Sequence, residues 1–140
     1  MFKDAKIAHI NLSSGTVDIE TIQGHIYRHY PGGSALGMYL ILRDMDARIP
    51  ALDPDNLLIF TVSPLTGLPV SGLSRMCVTT KSPASGGIAD SQVGGFIPAH
   101  LKLNGYDGLV ISGKAPKPLY IYINDGEIEL RDASALWGKT

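Results

Sequence analysis

Cysteine is nearly absent from this sequence: Cys77 stands alone among 140 residues. One thiol can form neither an internal disulfide nor a metal or cluster site built from several thiolates. Aromatic residues are sparse, at 7%, and scattered along the chain. The 12 basic and 13 acidic residues are also spread without a stripe of one sign, leaving a formal charge of −1. A base-stacking platform and a basic footprint are both missing, so no nucleic-acid partner is expected. Long apolar runs are lacking too. The longest, Met38 to Leu42, is far too short to span a bilayer, and no membrane partner is expected. The start, Met1-Phe2-Lys3-Asp4, has no positive region followed by an apolar run, so it does not read as a secretion signal. The expectation is a soluble, cytoplasmic protein.

What is present suffices for one domain, residues 1–140, with a real core: hydrophobic residues make up 44% of the chain. Lys6 to Leu12 alternates loosely, Ser13-Ser14-Gly15 turns, and Val17, Ile19 and Thr21 continue the alternation, which predicts a hairpin. Leu119–Ile123 and Glu127–Leu130 around Asn124-Asp125-Gly126 predict a second one. Their similar layout suggests two equivalent edges of a pair of sheets, although common hairpin chemistry explains it nearly as well. Between them, Ser34–Met45 predicts a helix, apolar around most of its circumference and hence well buried, with Ser34 as its N-cap after the Pro31-Gly32-Gly33 break. Leu57–Val62, Arg75–Thr80 and Gly108–Ser112 predict strands, and Pro98–Leu103 a short helix stopped by Asn104-Gly105. Residues 81–95, rich in Ser and Gly, read as a loop. Asp132–Trp137 reads as the start of a helix with nothing to pack on, as in a chain cut from something longer. Strand-rich segments with few helices predict an α+β fold.

The loops flanking Arg75–Thr80 hold the strongest chemical signal. Glycines let backbone approach a ligand, successive N–H groups in turns can form a nest for an anion, and a helix N-terminus adds partial positive charge. Ser91-Gln92-Val93-Gly94-Gly95 lies just before the predicted helix that contains Pro98–Leu103, and Arg75 can offer a planar fork of donors to phosphate. Ordinary turns with one surface arginine are the alternative, since no known phosphate-loop spacing is present. The Gly32–Gly37 segment has the wrong spacing for a dinucleotide fingerprint, so close helix packing through Gly33 and Gly37 is the preferred reading. His25 and His29, four apart, would share a helix face as a metal pair, but no third ligand accompanies them, and hydrogen-bonded or surface histidines are the plainer reading. His9 and His100 have no evident partner. Cys77 reads as a buried structural thiol. Lys81-Ser82 lacks the elbow and base of a hydrolase, and Asp107, Asp125 and Asp132 fall in turn or cap positions.

Taken in order, the loops resemble the N-terminal domain of the aldehyde ferredoxin oxidoreductase family of tungsten or molybdenum pterin enzymes. The pieces are Asn11-Leu12-Ser13-Ser14-Gly15, Pro31-Gly32-Gly33, Ser63-Pro64-Leu65-Thr66-Gly67, and Arg75 followed by Thr80-Lys81-Ser82-Pro83. They continue with Gly94-Gly95, Lys102-x-x-Gly105-Tyr106-Asp107-Gly108, Gly113-Lys114-Ala115-x-Lys117-Pro118, and Asp132-Ala133 with Leu136-Trp137-Gly138-Lys139.

The resemblance implies two packed, mainly antiparallel β-sheets with a few helices, forming a base on which a bis-pterin tungsten (or molybdenum) cofactor lies. It implies that Arg75 helps hold the pterin phosphates, that Gln92 lies near a magnesium ion bridging them, and that the backbone of Val93, Gly94 and Gly95 runs along the cofactor. The sequence departs from the family pattern at Gln92, where Asn is frequent, and at Val93, where a small polar residue is usual. It departs again at Ser34, where many members carry arginine, at Ser63, where glycine is usual, and at Pro98, where glycine is common. The iron–sulfur (4Fe–4S) cluster, the substrate pocket and the contact with ferredoxin in electron transfer would belong to domains beyond this length. The expectation is therefore a cofactor-binding domain that is catalytically incomplete alone, lacks catalytic residues of its own, and associates as a homo-oligomer through exposed sheet surface. The alternative expectation is a stand-alone, non-catalytic accessory or oligomerisation module derived from that family.

Overall fold

A computed structural model describes residues 3–139; Met1 and Phe2 of the stretch read for a secretion signal lie outside the described residues. Among the described residues, eight strands and three helices follow in the order β1 (Ala5–Asn11), β2 (Thr16–Ile22), α1 (Gly24–His29), α2 (Gly33–Asp44), β3 (Leu58–Val62) and β4 (Arg75–Lys81). Then come β5 (Ile88–Gly94), α3 (Phe96–Leu103), β6 (Gly108–Ser112), β7 (Leu119–Asn124) and β8 (Glu127–Asp132). Six strands form one sheet in the order β2-β1-β6-β3-β4-β5, and β7-β8 forms a second, smaller one. Among the described residues every strand pair except β1–β6 is antiparallel. The fold is α+β, as the strand and helix pattern predicted.

Alternation along the central strands builds two cores. Ala5 and Ile7 of β1, Ile59 of β3 and Val110 of β6 face α1 and α2, meeting Tyr27, Leu36, Leu40 and Ile41. Their neighbours Ala8, Ile10, Val62 and Leu109 face the other way, under Leu101 of α3 and the inward residues Ile121, Ile123, Ile128 and Leu130 of the β7–β8 sheet. A strand covered on both faces is apolar at consecutive positions, as β3 and β6 are, whereas β1 meets both cores through Ile7 and Ala8 between the polar Lys6 and His9. β7 carries apolar residues only at alternate positions, with Tyr120 and Tyr122 outward. The two hairpins are therefore not equivalent edges: β1 lies inside the large sheet, whereas β7–β8 lies across its face.

Other expectations shift for identifiable reasons. Residues 88–94 are a strand rather than a loop. β5 is a polar edge strand held by its backbone ladder to β4, and its exposed side chains carry little apolar signal. The N-cap of α2 is Gly32, not Ser34, because the chain enters the helix at φ 72, and a Cβ there would lie 2.2 Å from the Val62 carbonyl oxygen. α2 also buries only one side: Leu36, Gly37, Leu40 and Ile41 are inside, while Leu42 is 72% exposed. Residues 134–138 form turns instead of a helix, and buried Ala133 anchors them. His25 and His29 do lie on a helix, but His29 Nδ1 is bonded to the His25 carbonyl oxygen at 2.8 Å, and no metal-holding group of His, Cys, Asp or Glu occurs among the described residues. His9 has a partner after all, Glu20 Oε2 at 2.7 Å from its Nε2.

The close-packing reading of Gly37 holds. A Cβ there would lie 2.3 Å from Thr79 Oγ1, so glycine is what lets α2 settle onto β4. Thr79 is fully buried, and its hydroxyl lacks a hydrogen-bond partner. An unsatisfied buried hydroxyl costs about 1–3 kcal/mol. Thr79→Val is accordingly expected to stabilise the fold by about 1 kcal/mol, read as a higher denaturation midpoint with an unchanged m-value; a lower midpoint would mean the hydroxyl contributes a favourable interaction.

Candidate functional site

Antiparallel pairing gathers the candidate residues at one end of the large sheet. β3 ends there at Val62, paired with Met76, and β4 begins there at Arg75, paired with Gly94 at the end of β5. α3 starts immediately after, with Gly95 as its N-cap. No side chain caps its first turn and no acid lies in it, so its N-terminal N–H groups and partial positive charge are uncompensated there. The two sides of this mouth are tied together: the Ser74 hydroxyl donates to the Gly95 carbonyl oxygen, and the Thr66 hydroxyl donates to the Arg75 carbonyl oxygen at 3.3 Å.

Directly opposed residues of an antiparallel pair share a face. Arg75 with Gly94, Cys77 with Gln92, and Thr79 with Asp90 therefore lie on the α2 side of the β4–β5 ribbon. The N-terminus of α2 reaches the same face, where Ser34 Oγ lies 3.4 Å from Cys77 Sγ and donates to Asp90 Oδ2 at 2.5 Å. Val93 opposes Met76 and falls on the other face. That face holds an apolar groove of about 460 Å³ between Met76, Leu101 and Ile121, rimmed by Phe96 and Ile97. The structure thus brings Arg75, Gln92 and Gly94 to one face with Gly95 beside them, and leaves Val93 able to contribute only backbone there. Because Ser91–Gly94 is extended, its successive N–H groups alternate in direction, so this segment does not form the nest expected of it.

The donor set suits an oxyanion. Arg75 is exposed, as are Gly94 and Gly95, and a Cβ built at Gly95 would meet nothing within 4 Å, so a ligand can approach the backbone closely. Gln92 is also exposed, and its side chain carries one neutral carbonyl oxygen. Cys77 is buried and free, and nothing joins it to a second thiol.

Two arrangements escaped the sequence reading. Asp107, read as a turn residue, is 2% exposed. It accepts from Lys102 of α3, from the Tyr27 hydroxyl at 3.2 Å and from the Lys6 N–H at 3.0 Å. It thereby fastens α3, and with it the Gly95 end, to β6 and α1. The second is Asp90, whose partner is 56 residues away in sequence, a separation that no local pattern reveals.

The fold and this site define an N-terminal domain of the aldehyde ferredoxin oxidoreductase family, to which the chain belongs: the model for "Aldehyde ferredoxin oxidoreductase, N-terminal domain" matches residues 7–140. The chain is 44% identical over 134 residues to the tungsten-containing aldehyde ferredoxin oxidoreductase of Pyrococcus horikoshii, covering 96% of this chain and 22% of that protein. It is 31% identical over 138 residues to the aliphatic sulfonate oxidoreductase, WOR-like subunit, of Pyrococcus furiosus, again covering 96% and 22%. Among solved structures it is similar to the active-site complex BamBC of benzoyl coenzyme A reductase with 1,5-dienoyl-CoA, at a TM-score of 0.92 and 33% identity over 96% of this chain and 20% of that one. The chain spans about a fifth of the length of these relatives. No helix among the described residues is long and apolar enough to cross a membrane.

Proposed function

We propose that this chain is the cofactor-cradling domain of a tungsten- or molybdenum-pterin oxidoreductase, with Arg75 and the Gly94–Gly95 backbone holding the pterin phosphates. The observation that carries this reading is the pairing of Arg75 with Gly94 beside the uncapped start of α3. Guanidinium supplies a two-pronged, permanently charged grip on phosphate, and the helix N-terminus adds N–H donors. Gln92 stands on the same face, where its carbonyl oxygen would be a ligand to a magnesium ion between the phosphates, and Val93 would contribute main chain. The bound metal–pterin group would supply the redox chemistry, while the residues of this chain position it and set its electrostatic surroundings. The iron–sulfur cluster, the substrate pocket and the ferredoxin contact are assigned to the remaining domains of the complete enzyme, since one buried thiol can hold no cluster.

Arg75→Ala in the complete enzyme is expected to lower tungsten (or molybdenum) and pterin content per protein at least several-fold, with an unchanged circular dichroism spectrum. Unchanged metal-to-protein stoichiometry would sink the reading. Arg75→Lys, which keeps the charge but loses the fork, should fall between the two.

A second reading rests on exposed apolar surface. Phe96 and Ile97 are 84% and 71% exposed, and Leu103 stands out on the same helix. Such a cluster drives association. The 140-residue chain by itself is expected to form a homo-oligomer that Phe96→Ser shifts towards monomer; a monodisperse wild-type monomer by light scattering would count against it.

A further inference from the structure

We propose that Ser34 and Asp90 form a positioning latch that clamps the edge strand β5 to the start of α2 and so sets where Gln92, Gly94 and Gly95 stand. β5 is the outermost strand of its sheet, bonded to β4 on one side, and its residues from Asp90 to Gly94 are exposed. An edge strand of this kind has little apolar contact to hold it and opens readily. The Ser34 hydroxyl reaches across and donates to Asp90 Oδ2 at 2.5 Å. Among the described residues it is the side-chain hydrogen bond that ties β5 to an element other than β4.

Ser34 is in place because α2 begins at Gly33, pressed onto the sheet by Gly32 and Gly37. The latch also completes α2. The helix has no side-chain cap and no acid in its first turn, and the Asp90 carboxylate brings a negative charge to that end from another strand. Two residues beyond Asp90 on the same face is Gln92, and two further is Gly94, opposite Arg75. A strand loosened at Asp90 therefore moves both relative to Arg75. The consequence for ligand binding rests on the phosphate-holding reading above; the clamping of β5 does not.

The test uses the 140-residue chain with two readouts, amide hydrogen exchange and titration with inorganic pyrophosphate. Ser34→Ala and Asp90→Ala are each expected to speed exchange of the β5 amides bonded to β4 by about tenfold, the effect of one hydrogen bond to a charged acceptor, with β1 and β6 unchanged. The double variant should be no worse than either single one, because the two groups act as a unit. Ser34→Thr, which keeps the hydroxyl, should restore wild-type exchange. Pyrophosphate affinity should fall several-fold in Ser34→Ala and return in Ser34→Thr, at an unchanged melting temperature. Unchanged β5 exchange in Ser34→Ala, equal acceleration in β1, or additive effects in the double variant would each overturn the latch. Arg75→Ala separates the two ideas: it should abolish pyrophosphate binding while leaving β5 exchange at the wild-type rate. Retained binding there would overturn the phosphate reading and leave the latch to be judged on exchange alone.

Discussion

Asp107→Ala is expected to lower the free energy of unfolding by about 3–5 kcal/mol, the range found when one partner of a buried ion pair is removed. The Asp107 carboxylate is 3% exposed and the Lys102 side chain 12%. Removing the carboxylate leaves the ammonium buried without its counter-charge, and leaves the Tyr27 hydroxyl and the Lys6 N–H without their acceptor. Against a typical total of about 5–15 kcal/mol, such a loss threatens the fold itself. Chemical denaturation measures it; a change below about 1 kcal/mol would mean that the pair behaves as an exposed one. The damage should also reach the candidate site, because Lys102 secures α3 and α3 begins at Gly95.

The same cluster makes an alkaline prediction. Burial, reinforced by the negative charge of Asp107 and the hydrogen bond to it, pushes the Tyr27 phenol well above its ordinary value of 10.0. The unfolded chain loses that proton near pH 10 whereas the folded chain keeps it, so this contribution is complete below pH 10 and fades as the pH rises beyond it. Tyr27→Phe should flatten the alkaline limb of the stability profile at the cost of about 1.5–3 kcal/mol at neutral pH. An alkaline limb of unchanged steepness would place its origin elsewhere.

Gly32→Ala is the second large effect, expected at about 3 kcal/mol or more. Two costs combine. Gly32 has φ 72 and ψ −172, a region essentially restricted to glycine, and its added Cβ would lie 2.2 Å from the Val62 carbonyl oxygen and 3.0 Å from Ser63 Cα. Both contacts are with backbone, so relief requires moving α2 or the end of β3. Gly15→Ala provides the control, since Gly15 has φ 73 but a Cβ there would meet nothing within 4 Å. It should cost only the left-handed penalty, about 1–2 kcal/mol. Equal losses at the two positions would show that the close approach to Val62 contributes nothing.

Much of this protein was legible in its residues because the signals are local. Apolar positions on consecutive residues of β3 and β6 announce strands covered on both faces, and the Ser13–Gly15 and Asn124–Gly126 turns announce hairpins. Arg75, the Gly94-Gly95 pair and the ordered string of loop motifs pointed to the family that the comparisons then established. Cys77, buried and unpartnered by another thiol, behaves as its solitude predicted. β5 was missed because an exposed edge strand is defined by its ladder to β4, and a backbone ladder leaves no hydrophobic period to read. The cap of α2 was misplaced by two residues because the choice between Gly32 and Ser34 depends on how near the helix comes to Val62.

Sequence by itself therefore determined the class of fold, the family, and the residue types available to hold an anion. Tertiary structure alone decided which of them share a face. The pairing of Arg75 with Gly94 sets Gln92 beside them and turns Val93 away, because side chains alternate along a strand and register assigns their side. It decided as well that Asp107 is a buried anchor and Asp90 a partner of Ser34. Both depend on contacts between residues far apart in the chain, which only the packed sheet and helices bring within hydrogen-bonding distance.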